Sequence, residues 1–289
     1  MLAAIVAYGL WGLLPIFVKL VDNVGSPEVV AQRIIWSLLL IVAILSARGA
    51  TGSLIAVLRD PGLMRPLTLS ALLIATNWLT YVWAVNSAHV LAASLGYFLN
   101  PLVNVLLGVL VLKERLRRGQ MVAIAVAALG VAIMAAAALS TLWISVALAL
   151  TFGFYGLVRK LTPVAPMAGL GAETAVLAPV ALACLGWLAA SGGIAFGHDV
   201  RTSGLLIGMG AVTMVPLVLF ATAARRLPMA TLGLLQYLAP TLQFLCGVLL
   251  FGESLSQGQI VSFGLIWVGL LLFALDSYTS ARRNRLVPV

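Results

Sequence analysis

Asn100 and Asn104 stand one helical turn apart inside a long apolar run, with Tyr97 one turn before them and Gly108 one turn after. On a helix turning about 100° per residue the four fall within a sector of about 80°, so they share a face. Carboxamides surrounded by apolar groups are costly unless they meet a polar partner, so this face must turn toward protein, water or a solute. Pro101 lacks an amide and frees the Tyr97 carbonyl as one more acceptor on the same stripe. Gln236, Pro240, Gln243 and Gly247 repeat the pattern within about 60°. The chemistry offered is hydrogen bonding and stacking, which suits binding a small molecule. The alternative use of such amides is to bond one helix to the next.

Two further stripes have the same character. Tyr8, Trp11, Gly12, Pro15 and Lys19 share a face of about 100°, aromatic and kinked, ending in a cation that would attract an anionic group or snorkel to a membrane surface. Asn77, Thr80 and Tyr81 form a shorter one, with Trp78 off to one side. Trp36, Trp83, Trp143, Trp187 and Trp267 read as interfacial or packing residues. Among ionisable groups, Lys19, Glu28, Arg33 and Glu173 are candidates for coupling or gating, because a charge within an apolar span needs a reason to be there. Glu28 and Arg33 lie about 140° apart on one helix, so Arg33 is expected to meet an acid elsewhere or an anionic solute. Glu28 and Glu173 would carry protons if buried; as exposed acids near helix starts they would only complement the helix dipole. Glu114 and Glu253 read as caps or loop anchors, His89 and His198 as turn and loop residues, and Cys184 and Cys246 as packing residues. With no Ser/His/Asp set, no HExxH and no Walker lysine, neither ATP hydrolysis nor a metal or cofactor is expected.

The elements that must position these residues are membrane spans. Of 289 residues 63% are apolar and only 9% are charged, against roughly 45–50% and 25% in soluble domains, and the mean hydropathy is +1.14. Too few polar side chains exist to cover a water-soluble surface, which excludes a soluble enzyme, a disordered chain and a nucleic-acid module. Runs of about 20 apolar residues are expected near 3–21, 29–47, 66–86, 90–112, 120–138, 141–158, 168–190, 204–224, 229–251 and 257–275. The first has no positive residue ahead of it and no evident cleavage site, so it reads as a span and not a removed signal peptide. Ten spans leave no room for a folded soluble domain.

With ten spans, the loops on the N-terminal side hold Arg48, Arg59, Arg65, Lys113, Arg115, Arg117, Arg118, Arg159, Lys160, Arg225 and Arg226, and the tail adds Arg282, Arg283 and Arg285. The other side holds Lys19, Arg33 and Arg201. By the positive-inside rule both termini are cytoplasmic, and the net charge of +9 reports orientation with no nucleic-acid partner needed.

The chain also resembles itself. Residues 99–120 align with 238–259 at an offset of 139, matching Pro101 with Pro240, Gly108 with Gly247, Glu114 with Glu253 and Gly119-Gln120 with Gly258-Gln259. A weaker echo at 144 sets Tyr8-Gly9-Leu10-Trp11-Gly12 over Phe152-Gly153-Phe154-Tyr155-Gly156, bringing Tyr155 into the candidate site, and Glu28 falls over Glu173 at 145. The expected halves are 1–138 and 139–289. Five spans per half is odd, so the second half enters the membrane from the opposite side, a plan that serves alternating access around a midplane site.

The blocks AYGLWGLLPIFVKL (7–20), RIIWS (33–37), NWLTYVWAVN (77–86) and ASLGYFLNPLVNVLLG (93–108), with the Glu114/Glu253 pair, resemble the RarD branch of the EamA transporters in the drug/metabolite transporter superfamily. The resemblance spans nearly the whole chain, though members usually carry a few more residues before the first span. It implies an all-α polytopic protein of ten helices in two inverted five-helix repeats around a central cavity, and movement of small metabolites or drugs. Together these readings describe a permease of a bacterial inner membrane that is not an enzyme, with a small-molecule substrate and the lipid bilayer as partners and room for a homodimer. Tyr8, Trp11, Asn77, Tyr81, Tyr97, Asn100, Asn104, Tyr155, Gln236 and Gln243 are expected to bind the substrate. Because the deepest polar groups are amides, movement down the solute's own gradient is expected, with Glu28 the acid to watch if protons drive it.

Overall fold

The computed structural model describes all residues except 88, 137–138, 252–256 and 287–289, so Glu253 lies outside the described residues. The described residues form helices joined by short turns, with no strand among them. The first apolar run is two helices, α1 (Leu2–Gly12) and α2 (Leu14–Lys19), where one continuous span was expected. Pro15 explains the break: without an amide it cannot bond the Trp11 carbonyl four residues back. The long α3 (Ser26–Ala47) has Pro27 in its first turn and ends at Gly49, whose φ of +62° closes the helix while Ala50 N–H bonds Leu45 O. A short amphipathic α4 (Thr51–Arg59) buries Leu54 and Val57, and Asp60 then caps the start of α5 (Pro61–Asn86) by accepting from Gly62 N–H at 2.8 Å.

The chain continues through α6 (Val90–Leu110), α7 (Arg118–Ala136), a 3₁₀ turn at Leu139–Thr141, α8 (Leu142–Leu161), α9 (Pro166–Ala190) and α10 (Val200–Ala224). The run expected at 229–251 is again broken, into α11 (Met229–Gln236) and α12 (Leu238–Phe251), and Pro240 withholds the amide that would bond the Gln236 carbonyl. The last helix is α13 (Gln257–Leu286). Eight stretches among the described residues are long and apolar enough to cross a membrane; Leu2–Phe17 is shorter, and α5, although 26 residues long, is not one of the eight.

Large apolar side chains cover the outside: Val180, Leu249 and Trp187 are each about seven-tenths exposed, while Asn104, Ser37, Ser70, Ser145 and Ser262 are fully buried. This inversion fits a solvent of lipid, in which apolar surface costs nothing and polar groups must be satisfied inside. Glycines let helices touch along the core. A Cβ on Gly12 would stand 2.5 Å from Leu242 Cβ, one on Gly153 2.6 Å from Val103 Cγ1, and one on Gly210 2.5 Å from Trp36 Cβ.

Candidate functional site

A cavity of about 250 Å³ lies inside the bundle. On one side Tyr8, Trp11 and Pro15 of α1 and α2 face it, and Arg33 enters from α3. Asn77, Trp78 and Tyr81 of α5 and Tyr97 and Asn100 of α6 form the next wall. Phe152 of α8 closes the bottom, and Gln236, Pro240 and Gln243 complete the circle at the α11–α12 break. The lining belongs to the end of the bundle where α3 and α6 begin, called here the open end.

The amides both line the cavity and tie its walls. Asn77 donates to Leu148 O at 2.8 Å and to Thr151 Oγ1 at 2.9 Å, joining α5 to α8. Gln243 donates at 3.0 Å to Trp11 O, the carbonyl that Pro15 cannot bond and that otherwise accepts a backbone N–H at the end of α1, so the kink in the first run is used as an acceptor by the fourth wall. Gln236 accepts from Asn104 at 2.7 Å. Asn104 itself has no exposure and does not line the cavity, against expectation; packed behind Gln236 and beside Gly233, it joins α6 to α11. Tyr81 and Tyr97 meet edge to face at 5.8 Å, and Arg33 lies 5.0 Å from the centre of the Trp78 ring while its Nε donates to Thr213 Oγ1 at 2.7 Å. The Tyr8 hydroxyl and the Asn100 side-chain oxygen, both buried, have no hydrogen-bond partner among the described residues.

Below the cavity the bundle is shut. Trp11 packs on Phe152 (5.6 Å) and Phe220 (5.7 Å), Phe152 on Phe220 (5.3 Å), and Phe220 lies flat on Tyr155 at 5.9 Å and 15°. Tyr155, expected to touch substrate, is therefore part of this floor and not of the wall: it lies one helical turn beyond Phe152, on the far side of the ring cluster from the cavity. Beneath the floor Glu173 of α9 accepts a hydrogen bond from Ser70, lies beside Tyr155, and pairs with Arg159 at 3.5 Å. Arg159 also donates to Pro166 O at 3.0 Å and fills the place where a Cβ on Gly169 would be. Near the same end Glu114 accepts from Met229 N–H at 2.7 Å and Ala230 N–H at 3.0 Å, capping α11 from the loop after α6, in space that Gly108 leaves by lacking a Cβ.

Other candidates are spread apart. Glu28 is buried, not exposed, and its two oxygens accept from Ala195 and Phe196 N–H at 2.8 and 2.9 Å, anchoring the loop between α9 and α10. Glu173 is buried as well, so neither is a solvated helix-start acid. Lys19 is exposed and does not line the cavity. His89 stacks on Trp83 at 5.6 Å. Residues not expected at the site are Trp78, Phe152 and Thr213, and Arg159 beneath it. Phe152 is missed because the 144 offset sets Tyr155 over Trp11, whereas in the structure Gly12 and Gly153 make matching notches against Leu242 and Val103, a register three residues shorter that sets Phe152 over Trp11. Trp78 was set aside because it lies about 100° from Asn77, but the cavity is wide enough to meet both.

A bundle helical throughout its described residues, with a lipid-compatible exterior and a cavity lined by polar and aromatic side chains at one end, defines a polytopic membrane protein of the solute-transporting kind. Comparison with known proteins bears on which one. The EamA-like transporter family pattern matches residues 1–136. An uncharacterized transporter of Pseudomonas aeruginosa is 47% identical over 279 residues, 96% of this chain and 93% of that protein. Protein RarD of Streptomyces exfoliatus is 44% identical over 96% of this chain and 89% of its own length, and protein RarD of Escherichia coli is 41% identical over 98% and 96%. A crystal structure of a protein with 21% identity superposes with a TM-score of 0.74 over 95% of this chain and 96% of that one, a likeness of fold. The chain belongs to the RarD-type EamA transporters, and is a multi-pass membrane protein of the drug/metabolite transporter superfamily.

Proposed function

We propose that this protein is a secondary transporter of small organic solutes, that the cavity is its binding site, and that the solute crosses a bacterial inner membrane by alternating access between two inverted five-helix halves, 1–138 and 139–289. The observation that carries the reading is a polar, aromatic cavity placed between helices of both halves, closed on one side by stacked rings and by the Glu114 clamp. The packing also supports the halves. If the first five spans are α1 with α2, α3, α5, α6 and α7, and their mates are α8, α9, α10, α11 with α12, and α13, exchanging each span for its mate leaves the set of major contacts unchanged. The α3–α9, α6–α11 and α7–α13 pairs map onto themselves, α1–α10 maps onto α5–α8, α3–α10 onto α5–α9, and α1–α12 onto α6–α8. Such symmetry allows two states of similar energy that open to opposite sides. With the basic loops cytoplasmic, the open end faces outward.

The test is counterflow in proteoliposomes, in which an unlabelled solute inside draws a labelled one in. Exchange above empty vesicles for at least one class of small organic solute is expected, together with cytoplasmic activity of a reporter fused after Arg285. Absence of exchange across amino acids, nucleosides, organic acids and aromatic drugs would reject transport; a periplasmic reporter would reject the inverted halves.

A further inference from the structure

We infer that the cavity selects solutes bearing one negative charge, a carboxylate on a small ring, with Arg33 as its anion anchor; this rests on the cavity being the transport site. Arg33 is the cation on the cavity wall, and no Asp or Glu lines it among the described residues. The two buried acids among the described residues are engaged elsewhere, Glu28 with two loop amides and Glu173 with Arg159 beneath the ring floor. Among the described residues the guanidinium meets a hydroxyl, Thr213, and a ring face, Trp78, neither of which carries an opposing charge. A cation held in a low-dielectric site without a counter-charge favours an anionic occupant and opposes a cationic one. One positive charge balances one negative charge, so a phosphate dianion would leave a surplus in the same site.

Geometry narrows the class. Thr213 takes Arg33 Nε, which leaves the two terminal nitrogens to form the parallel pair of bonds that fits a planar carboxylate. Trp78, Tyr81 and Tyr97 supply flat apolar faces beside that anchor. A ring held at Arg33 shares the cavity with Asn100 of α6 and Tyr8 of α1, which also line it. The unpartnered Asn100 amide oxygen and Tyr8 hydroxyl are groups that a hydroxyl or amine substituent of that ring would satisfy. A volume of about 250 Å³ is just under the roughly 300–1,000 Å³ of drug-sized sites, which favours a single ring over a fused system.

The experiment compares three probes of one shape and different charge, benzoate, benzamide and benzylammonium, on the full-length protein. Binding is read in detergent by thermal shift and calorimetry, and flux by counterflow. Benzoate is expected to bind at least about tenfold more tightly than benzamide, with benzylammonium weakest, and Arg33→Gln is expected to erase the difference between the first two. Arg33→Lys, which keeps the charge but not the fork, should retain the preference for benzoate over benzylammonium and bind benzoate more weakly than the wild type, and it serves in place of Arg33→Gln if that variant does not fold. No benzoate binding at millimolar concentration, equal binding of the three probes, or a benzoate preference that survives Arg33→Gln overturns the inference. The two readings fail separately: flux without charge preference removes the anion anchor and leaves transport, whereas charge-selective binding without flux of any probe removes transport and leaves the anchor.

Discussion

Arg33 and Arg159 lie toward opposite ends of one bundle and have opposite surroundings. Arg159 is 3% exposed, paired with Glu173, bonded to the Pro166 carbonyl and pressed against Gly169, so its charge and its volume are both accounted for. Arg33 is half-buried beside a cavity with a hydroxyl and a ring for company. One end pairs its buried charge with an opposite one, although Arg159 Nε and Glu173 Oε2 keep no hydrogen-bond partner among the described residues; the other sets a charge beside a cavity with no acid on its wall among the described residues. The contrast teaches that in lipid, where apolar packing is freely available, a charge without a counter-charge beside a cavity, rather than an apolar hollow, marks where a solute goes.

The contrast breaks if the two arginines prove equivalent for stability. Arg159→Met strands Glu173 in the interior and is expected to cost about 3–5 kcal/mol, read as a large drop in unfolding temperature in detergent. Adding Glu173→Gln to it should recover much of that loss. Arg33→Met, which removes a charge with no counter-charge, is expected to cost less than about 1 kcal/mol. Equal losses for Arg159→Met and Arg33→Met would show that Arg33 is structural.

Smaller effects sharpen the boundary between the two ends. Gly12→Ala, whose Cβ would meet Leu242 Cβ at 2.5 Å and Ala239 O at 3.1 Å, is expected to cost about 1–3 kcal/mol, while Gly208→Ala at the open end, with nothing within 4 Å, should be neutral or slightly stabilising. Asn104→Leu leaves Gln236 Oε1 without its donor and is expected to lower stability by about 1–3 kcal/mol, whereas Asn100→Leu should weaken solute binding and leave the unfolding temperature nearly unchanged. The smallest effect concerns Asp199, exposed at the open end. Its bond from Thr202 N–H holds its carboxyl below the usual aspartate range, so the cap contributes above that range and is lost as pH falls through the lowered value. Asp199→Ala should therefore reduce stability at neutral pH and leave it unchanged in strong acid, measured as unfolding temperature against pH.

Much of this was legible in the sequence because lipid imposes simple rules. Apolar runs gave the helices, and helical spacing brought Tyr97 to Asn100 and Gln236 to Gln243 around one space. What was not legible depends on neighbours that spacing does not name. Asn104 shares the stripe of Asn100, but Gln236 reaches it first. Arg159 read only as a loop cation until α9 set Glu173 against it. Glu28 and Glu173 match only by sequence offset: one stands two residues into α3 and meets a loop backbone, the other seven residues into α9 and meets a guanidinium, because the helix starts are not in that register.

The five rings beneath the cavity have a consequence for the cell as an electrical system. Phe220 packs against Tyr8, Trp11, Phe152 and Tyr155, and rings packed this closely leave no file of water for a hydrated ion to follow. Moving a bare ion into such surroundings costs on the order of 20 kcal/mol in continuum terms. With the floor in place the protein is expected to add no conductance, so many copies in one membrane would leave its resting potential intact.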